Sequence, residues 1–181
     1  MRTEPPPLTW PDEGVTRVPY RVYDDPGIYA REQALLFRGQ TWNYLGLDCE
    51  IPGEGDYKLN FVGDTPVILC RDENGDVQAM VNRCAHRGSL VCIEKQGRRE
   101  RFTCVYHNWS YNLRGELQSV AFKRGVRGKG GMPADFNNAD HGLERLRVAS
   151  FNGIHFGSFS DSTPPIEEYL GPVMSAYLKR A

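Results

Sequence analysis

Cys84-Ala85-His86-Arg87-Gly88 and Cys104-Val105-Tyr106-His107-Asn108-Trp109 are the two stretches from which the rest of the sequence can be read. Each offers one thiol and one imidazole, and seventeen residues separate His86 from Cys104. Two loops so composed can grip one metal centre from opposite sides, with Cys84, His86, Cys104 and His107 as candidate ligands. A structural zinc ion held by two cysteines and two histidines is the plainer possibility. Zinc sites, however, usually pair cysteine with cysteine and histidine with histidine, and Cys-x-His is a tight spacing for two ligands of one tetrahedral ion. Mixed pairs suit a two-iron centre better, because neighbouring ligands can go to different irons.

Around these loops the pattern is that of a β-rich domain. Phe61-Val62, Val67-Ile68-Leu69 and Val77–Val81 predict short strands, the last two joined by the turn formers Asp72-Glu73-Asn74-Gly75-Asp76. Asn112-Leu113-Arg114-Gly115 predicts the tip of a second hairpin. Gly125, Gly128, Gly130, Gly131 and Pro133 make 123–141 a long ordered loop, and 143–148 and 154–159 read as closing strands. Asp25-Pro26 reads as an N-cap and first helical residue, opening a helix over 26–38 that stops near Gly39. The proline-rich residues 1–24, with Pro5-Pro6-Pro7, are expected to wrap over the surface. After Pro164-Pro165, residues 166–180 start another helix.

Composition limits the function. The chain has 181 residues, 40% hydrophobic and 25% charged, with a net charge of -1. That describes a soluble globular protein with enough core to fold without a metal. A pI near 6.4 gives no reason to expect nucleic acid. No run approaches the roughly 20 apolar residues of a membrane span. The N-terminus lacks the apolar core of a signal peptide, so the expected compartment is the cytoplasm. Five cysteines without an export signal favour reduced thiols or metal ligands over disulfides. Cys49, Cys70 and Cys92 read as plain buried thiols.

The pattern C-x-H-R-G, then seventeen residues from the histidine to C-x-x-H, resembles the Rieske family. The resemblance implies a 2Fe-2S cluster with Cys84 and Cys104 on one iron and His86 and His107 on the other. Imidazoles in place of thiolates raise the potential to roughly −150 to +300 mV, against about −400 mV for plant-type ferredoxins. Rieske proteins of respiratory complexes carry extra loop cysteines that form a disulfide; Ser89, Val105 and Tyr106 supply none. The sequence is therefore similar to the oxygenase and ferredoxin branch. Asn108 stands where glycine is common in that branch, and asparagine tolerates left-handed backbone.

Further segments resemble the large (α) subunit of aromatic-ring-hydroxylating oxygenases. They are Phe37-Arg38-Gly39-Gln40-Thr41-Trp42, residues 50–57, residues 130–136, His141-Gly142-Leu143 and Glu167-Glu168-Tyr169-Leu170-Gly171-Pro172. The likeness is greatest to anthranilate, salicylate and terephthalate oxygenases, enzymes of carboxylated aromatics. It implies a mainly β fold, a Rieske-like antiparallel β-sandwich with an N-terminal helix and the start of a C-terminal one. Residues 1–41 would form an arm and helix, 42–160 the cluster domain, and 161–181 a linker into an absent catalytic domain. In the family that domain holds a mononuclear Fe(II) by two histidines and a carboxylate. Only His141 and His155 follow His107, in a loop and a strand without a matching carboxylate, so no catalytic residue is assigned here.

The implied role is electron transfer from a reductase or ferredoxin to that Fe(II), which hydroxylates an aromatic carboxylate in an assembly with neighbouring α and small β subunits. A stand-alone Rieske ferredoxin-like carrier or redox sensor is the alternative, resembling only residues 42–157. Arg87 and Gly88 read as a charged contact and an amide-admitting turn beside the cluster, or as a solvated arginine and a plain turn glycine. Trp109 reads as a water shield, and Tyr106 as a shield or a hydrogen-bond donor to a cysteine sulfur. Lys95, Arg98, Arg99 and Arg101, with Lys123, Arg124, Arg127 and Lys129, read as solvated tips or as a steering field for an acidic electron donor.

Overall fold

The unbroken apolar run Val67-Ile68-Leu69-Cys70 crosses the middle of the molecule, and all four residues are fully buried. A strand can bury every side chain only if both of its faces are covered, since successive side chains point to opposite sides. Val67 and Leu69 join Leu45, Ile51, Val62, Ala79, Val81 and Leu146 on one side. Ile68 and Cys70 join Tyr57, Met80, Phe102, Trp109 and Tyr111 on the other. Burying each large apolar side chain contributes roughly 1.5–3 kcal/mol.

The structure, a computed structural model, describes residues 8–180 apart from Pro11, Glu13 and Gly128. Pro5-Pro6-Pro7 and the loop glycine at 128 therefore lie outside the described residues. In chain order the strands are β1 (Asn43–Leu47), β2 (Asp56–Val62), β3 (Thr65–Arg71), β4 (Val77–Val81) and β5 (Gln96–Arg98), followed by β6 (Phe102–Thr103), β7 (Ser110–Tyr111), β8 (Leu117–Ser119), β9 (Arg147–Phe151) and β10 (Ile154–Ser158). They form three antiparallel sheets ordered β1-β10-β9, β4-β3-β2-β5 and β6-β7-β8. The first and third sheets cover the two faces of the second, which gives the mainly β architecture expected from the sequence.

Helices sit at the two ends. A short helix α1 (Arg21–Asp24), which the sequence reading did not include, precedes α2 (Pro26–Glu32). Asp25 caps α2 as expected: its carboxylate accepts from the Gly27 and Ile28 amides at 2.8 and 3.1 Å. The last turn widens to a π-helix over Gln33–Phe37 and ends before Gly39, where a Cβ would lie 2.1 Å from the Leu35 carbonyl oxygen. At the other end α3 (Ile166–Leu178) bends at Gly171, whose φ of 67° is followed by Pro172. Ile166 packs with Trp42 and Phe151, and the Trp42 indole donates to the Pro164 carbonyl at 2.8 Å. No helix among the described residues is long and apolar enough to cross a membrane.

Two local expectations need correction. Residues 143–146 are not part of a strand: Arg145 makes only an isolated bridge to Met80, and β9 starts at Arg147. Leu143 and Leu146 are buried in different cores, but the backbone between them splits its hydrogen bonds: the Leu143 amide donates to the Gly115 carbonyl and the Leu146 amide to the Ala79 carbonyl, so no continuous ladder forms. Cys49 is exposed rather than buried, because Asp48–Glu50 is a single 3-10 turn on the surface. Cys70 and Cys92 are buried as expected.

The two hairpin tips are joined by one buried carboxylate. Asp72, fully buried, accepts from the Asn74 and Asp76 amides at 2.9 and 3.0 Å and from the Gln78 side chain at 3.0 Å. Arg114, at the tip between β7 and β8, adds Nε at 3.0 Å. Burial alone would raise the Asp72 pKa, but the donated hydrogen bonds outweigh it and hold it below the ordinary carboxylate value. Its contribution is therefore complete above about pH 4 and lost as pH falls through the depressed native value. Asp72→Asn should cost roughly 3 kcal/mol at pH 7 in urea unfolding. That difference from wild type should shrink as the medium is acidified below about pH 4; a pH-independent difference would contradict the role.

Candidate metal centre

The two loops that carry the candidate ligands are copies of one turn. In the first, the Cys84 amide donates to the Ser89 carbonyl and the Gly88 amide to the Cys84 carbonyl, both at 2.8 Å. In the second, the Cys104 amide donates to the Trp109 carbonyl and the Asn108 amide to the Cys104 carbonyl, both at 2.9 Å. The fourth residue after each cysteine has left-handed backbone: φ is 71° at Gly88 and 55° at Asn108. A Cβ at Gly88 would meet nothing within 4 Å, so glycine there answers the dihedral rather than space. The loops differ in where the imidazole sits, one residue after the intervening alanine in the first and one residue later in the second.

Each loop is anchored from behind. The second closes the hairpin of β6 and β7, where Phe102 faces Tyr111 and Thr103 faces Ser110. The first leaves β4 and is held by Asn82, a buried residue that the sequence reading passed over. Its side-chain oxygen accepts from the Val91 and Cys92 amides at 3.0 and 2.9 Å, and its nitrogen donates to the Cys92 carbonyl at 2.7 Å. Buried backbone groups behind the loop are thus satisfied by one amide side chain. A lone Asn before a cysteine carries no sequence signal for such a role.

The four candidate residues converge. Cys84 and Cys104 are buried, their thiols close enough to interact, and the His86 and His107 rings lie edge to face with centroids 4.6 Å apart. The His86 Nδ1 is buried and has no hydrogen-bond partner. An orphaned ring nitrogen costs free energy unless something bonds it, and coordination to a metal would meet that need. The donor set fits a 2Fe-2S cluster: two soft thiolates and two neutral imidazoles. A two-iron cluster asks two protein ligands of each iron, and the two loops together bring four such side chains to one place.

Burial pushes the Cys84 thiol above its usual pKa, an effect that the Tyr111 hydroxyl partly offsets. Metal uptake must therefore displace protons. Burial also holds His86 below its ordinary value, helped by the nearby charges of His107 and Arg87. A neutral imidazole at physiological pH is the form that can donate a lone pair.

The aromatic surroundings sort differently from expectation. Trp109 is buried and its indole stacks on His86, 4.8 Å between centroids and 7° between planes, as a shield would. Tyr106 is 60% exposed and leans on the His107 ring instead of reaching a sulfur. The sulfur contact belongs to Tyr111, fully buried, whose hydroxyl lies 3.1 Å from Cys84 Sγ and accepts from the Ala85 amide at 3.1 Å. Burial and the neighbouring thiol raise the Tyr111 pKa, so the phenol keeps its proton and can donate it to a thiolate. Only its period-2 spacing from Trp109, which puts both side chains inside, could have marked it in the sequence. All the basic residues of both runs are exposed. Arg99 is paired with Glu94 at 2.7 Å.

The chain is similar to known proteins over most of its length. Residues 41–128 match the family model described as the Rieske [2Fe-2S] domain. The chain is 49% identical over 173 residues to the terephthalate 1,2-dioxygenase terminal oxygenase component subunit alpha 2 of Comamonas sp, covering 96% of this chain and 42% of that one. It is 48% identical to the anthranilate 1,2-dioxygenase large subunit of Burkholderia cepacia, covering 94% of this chain and 40% of that one. It therefore spans about two fifths of the length of these relatives. A solved naphthalene 1,2-dioxygenase with indole in its active site is similar at a TM-score of 0.76 and 34% identity, over 84% of this chain and 33% of that one.

The left-handed backbone at position 108 can be tested directly. Asn108→Gly should stay within about 0.5 kcal/mol of wild type in thermal melts, since glycine accepts that dihedral freely. Asn108→Val should cost about 1–2 kcal/mol, because a β-branched side chain there clashes with its own backbone. Equal melting of the two variants would contradict the loop geometry.

Proposed function

Residues 41–128 belong to the Rieske [2Fe-2S] domain family, and from that premise we propose that Cys84 and Cys104 ligate one iron and His86 and His107 the other, making this chain an electron-transfer module. The observation that carries the ligand assignment is the buried, partnerless Nδ1 of His86 beside the two thiols. When bound, the cluster supplies a one-electron store whose potential is raised by its imidazole ligands. The chain's own residues set its surroundings. Trp109 excludes water from the His86 face, and the Tyr111 hydroxyl donates to Cys84 Sγ, which favours added negative charge. With Nδ1 of His86 turned inward, Nε2 on the far edge of the ring is left to meet a carboxylate of a partner.

The domain is that of an α subunit of an aromatic-ring dioxygenase, receiving electrons from a reductase or ferredoxin and passing them to a mononuclear Fe(II). That iron activates O2 for hydroxylation of a carboxylated aromatic, and it belongs to a neighbouring α subunit, in an assembly that also contains small β subunits. Support for the aromatic carboxylate comes from identity of 49% and 48% to enzymes named for terephthalate and anthranilate. Support for a covered cluster edge comes from Val105 and Tyr106, 66% and 60% exposed beside His107. Apolar surface next to a redox centre is what a partner protein would cover. In this reading 1–41 is the arm and helix, 42–160 the cluster domain and 161–181 a linker toward the catalytic part.

Anaerobically purified or reconstituted chain should contain two irons and two acid-labile sulfides and show a Rieske electron paramagnetic resonance (EPR) spectrum on reduction. Zinc, or a colourless protein without sulfide after reconstitution, would overturn the assignment. Tyr111→Phe should lower the midpoint potential by about 40 mV, the equivalent of about 1 kcal/mol for one lost hydrogen bond to sulfur in a one-electron couple. An unchanged potential would remove Tyr111 from the account.

A further inference from the structure

We propose that His141 is a positioning residue for the cluster, its ring holding Trp109 flat against His86. This rests on the Rieske reading above but concerns a side chain from a separate segment. The rings form one continuous array. His86 stacks on Trp109, and Trp109 meets Phe136 edge-on at 5.7 Å and His141 edge-on at 5.8 Å. Phe136 and His141 lie against each other at 4.4 Å with their planes tilted by 32°. Such contacts are worth about 0.5–1.5 kcal/mol each beyond the area they bury. They fix the plane of the indole, and through the near-parallel stack the plane of the His86 imidazole.

The anchorage of His141 is itself built. The ring closes a 3-10 turn, Asn138–His141, whose N-cap Asn137 accepts from the Ala139 amide. His141 Nδ1 lies 2.9 Å from the Asn137 carbonyl oxygen. A carbonyl can only accept, so Nδ1 carries the proton and the ring cannot rotate without losing this bond. Asn138 donates to the Leu117 and Gln118 carbonyls at 3.2 and 3.1 Å, pinning the turn to β8. Lys123 bonds the Asn138 side-chain oxygen at 2.7 Å and places its ammonium 5.2 Å over the Phe136 ring. The third sheet thus carries both the second ligand loop, between β6 and β7, and the turn that packs on its tryptophan.

The consequence is electrostatic. Two ferric ions, two sulfides and two thiolates sum to zero charge, and one added electron makes the assembly anionic. Water admitted past a loosened Trp109 would solvate the reduced state more than the oxidised one and raise the potential. It would also speed cluster loss, since groups that orient metal ligands matter typically by 10–100-fold in affinity or activity.

The test compares the cluster-loaded wild-type chain with His141→Ala and His141→Phe. His141→Ala removes the ring; His141→Phe keeps it and deletes only the bond to Asn137. The expected result for His141→Ala is an upward shift of the midpoint potential, a broadened EPR spectrum and roughly tenfold faster bleaching by an iron chelator. His141→Phe should restore all three toward wild type, and should still load cluster even if His141→Ala does not. His141→Ala matching wild type in all three readouts would overturn the inference, as would His141→Phe as disturbed as His141→Ala. A wild-type chain without a Rieske spectrum would sink the functional reading and this inference together. A normal wild type beside an unaltered His141→Ala would sink this inference alone.

Discussion

The structure depends on one repeated constraint: a cysteine whose amide and carbonyl are both bonded within a six-residue turn that closes through left-handed backbone. Gly88 and Asn108 supply that backbone in the two loops. Each turn holds its thiol inward because its main-chain hydrogen bonds leave the cysteine no other direction. Once the turns face each other, the imidazoles fall into edge-to-face contact and a buried nitrogen is left without a partner. The arrangement is costly for a protein with nothing bound and suitable for one that ligates through that nitrogen.

Core and site are built from the same residues. Cys84, Cys104, Trp109 and Tyr111 belong to the hydrophobic cluster that also holds Ile68 and Cys70 of the central strand. The sheet that buries β3 on this face is therefore the sheet whose β6–β7 hairpin carries the second loop. Packing of the domain and pre-organisation of the candidate ligands are one event, and Asn82 extends it to the first loop through the 91–92 backbone. The same economy explains the exposed edge. The faces of His86 and His107 are shielded by neighbouring rings, while Val105 and Tyr106 stand out at the rim. A redox group in the proposed role would meet its partner on that side only.

The sequence made the branch of the family legible, and with it the two loops whose thiols and imidazoles come together, because these residues at these spacings have few other uses. Strands with strong alternation or continuous burial were legible for the same reason, as were both hairpin tips and the Asp25 cap. What stayed hidden depends on tertiary company. Tyr111 reads as any aromatic in a strand until Cys84 is placed beside it, and Asn82 reads as a polar residue at a strand end until the 91–92 amides arrive. Tyr106, next to His107, read equally as a shield or as a donor to sulfur, and the turn lays it against the His107 ring instead of on a sulfur. Cys49 looked like a core thiol but falls on a one-turn helix with no layer above it. Residues 143–146 have the composition of a strand, yet their backbone bonds go partly to the Gly115 carbonyl and partly to β4, so no regular ladder forms.

The central claim is that each iron of the pair has its own kind of ligand, sulfur on one and nitrogen on the other. Pulsed EPR of the reduced chain grown with 15N-labelled histidine measures this most directly. The account predicts two histidine nitrogen couplings of the strength of direct ligation, one lost in His86→Cys and the other in His107→Cys. A reduced cluster without strongly coupled histidine nitrogen, or one whose two couplings both survive either replacement, would contradict it.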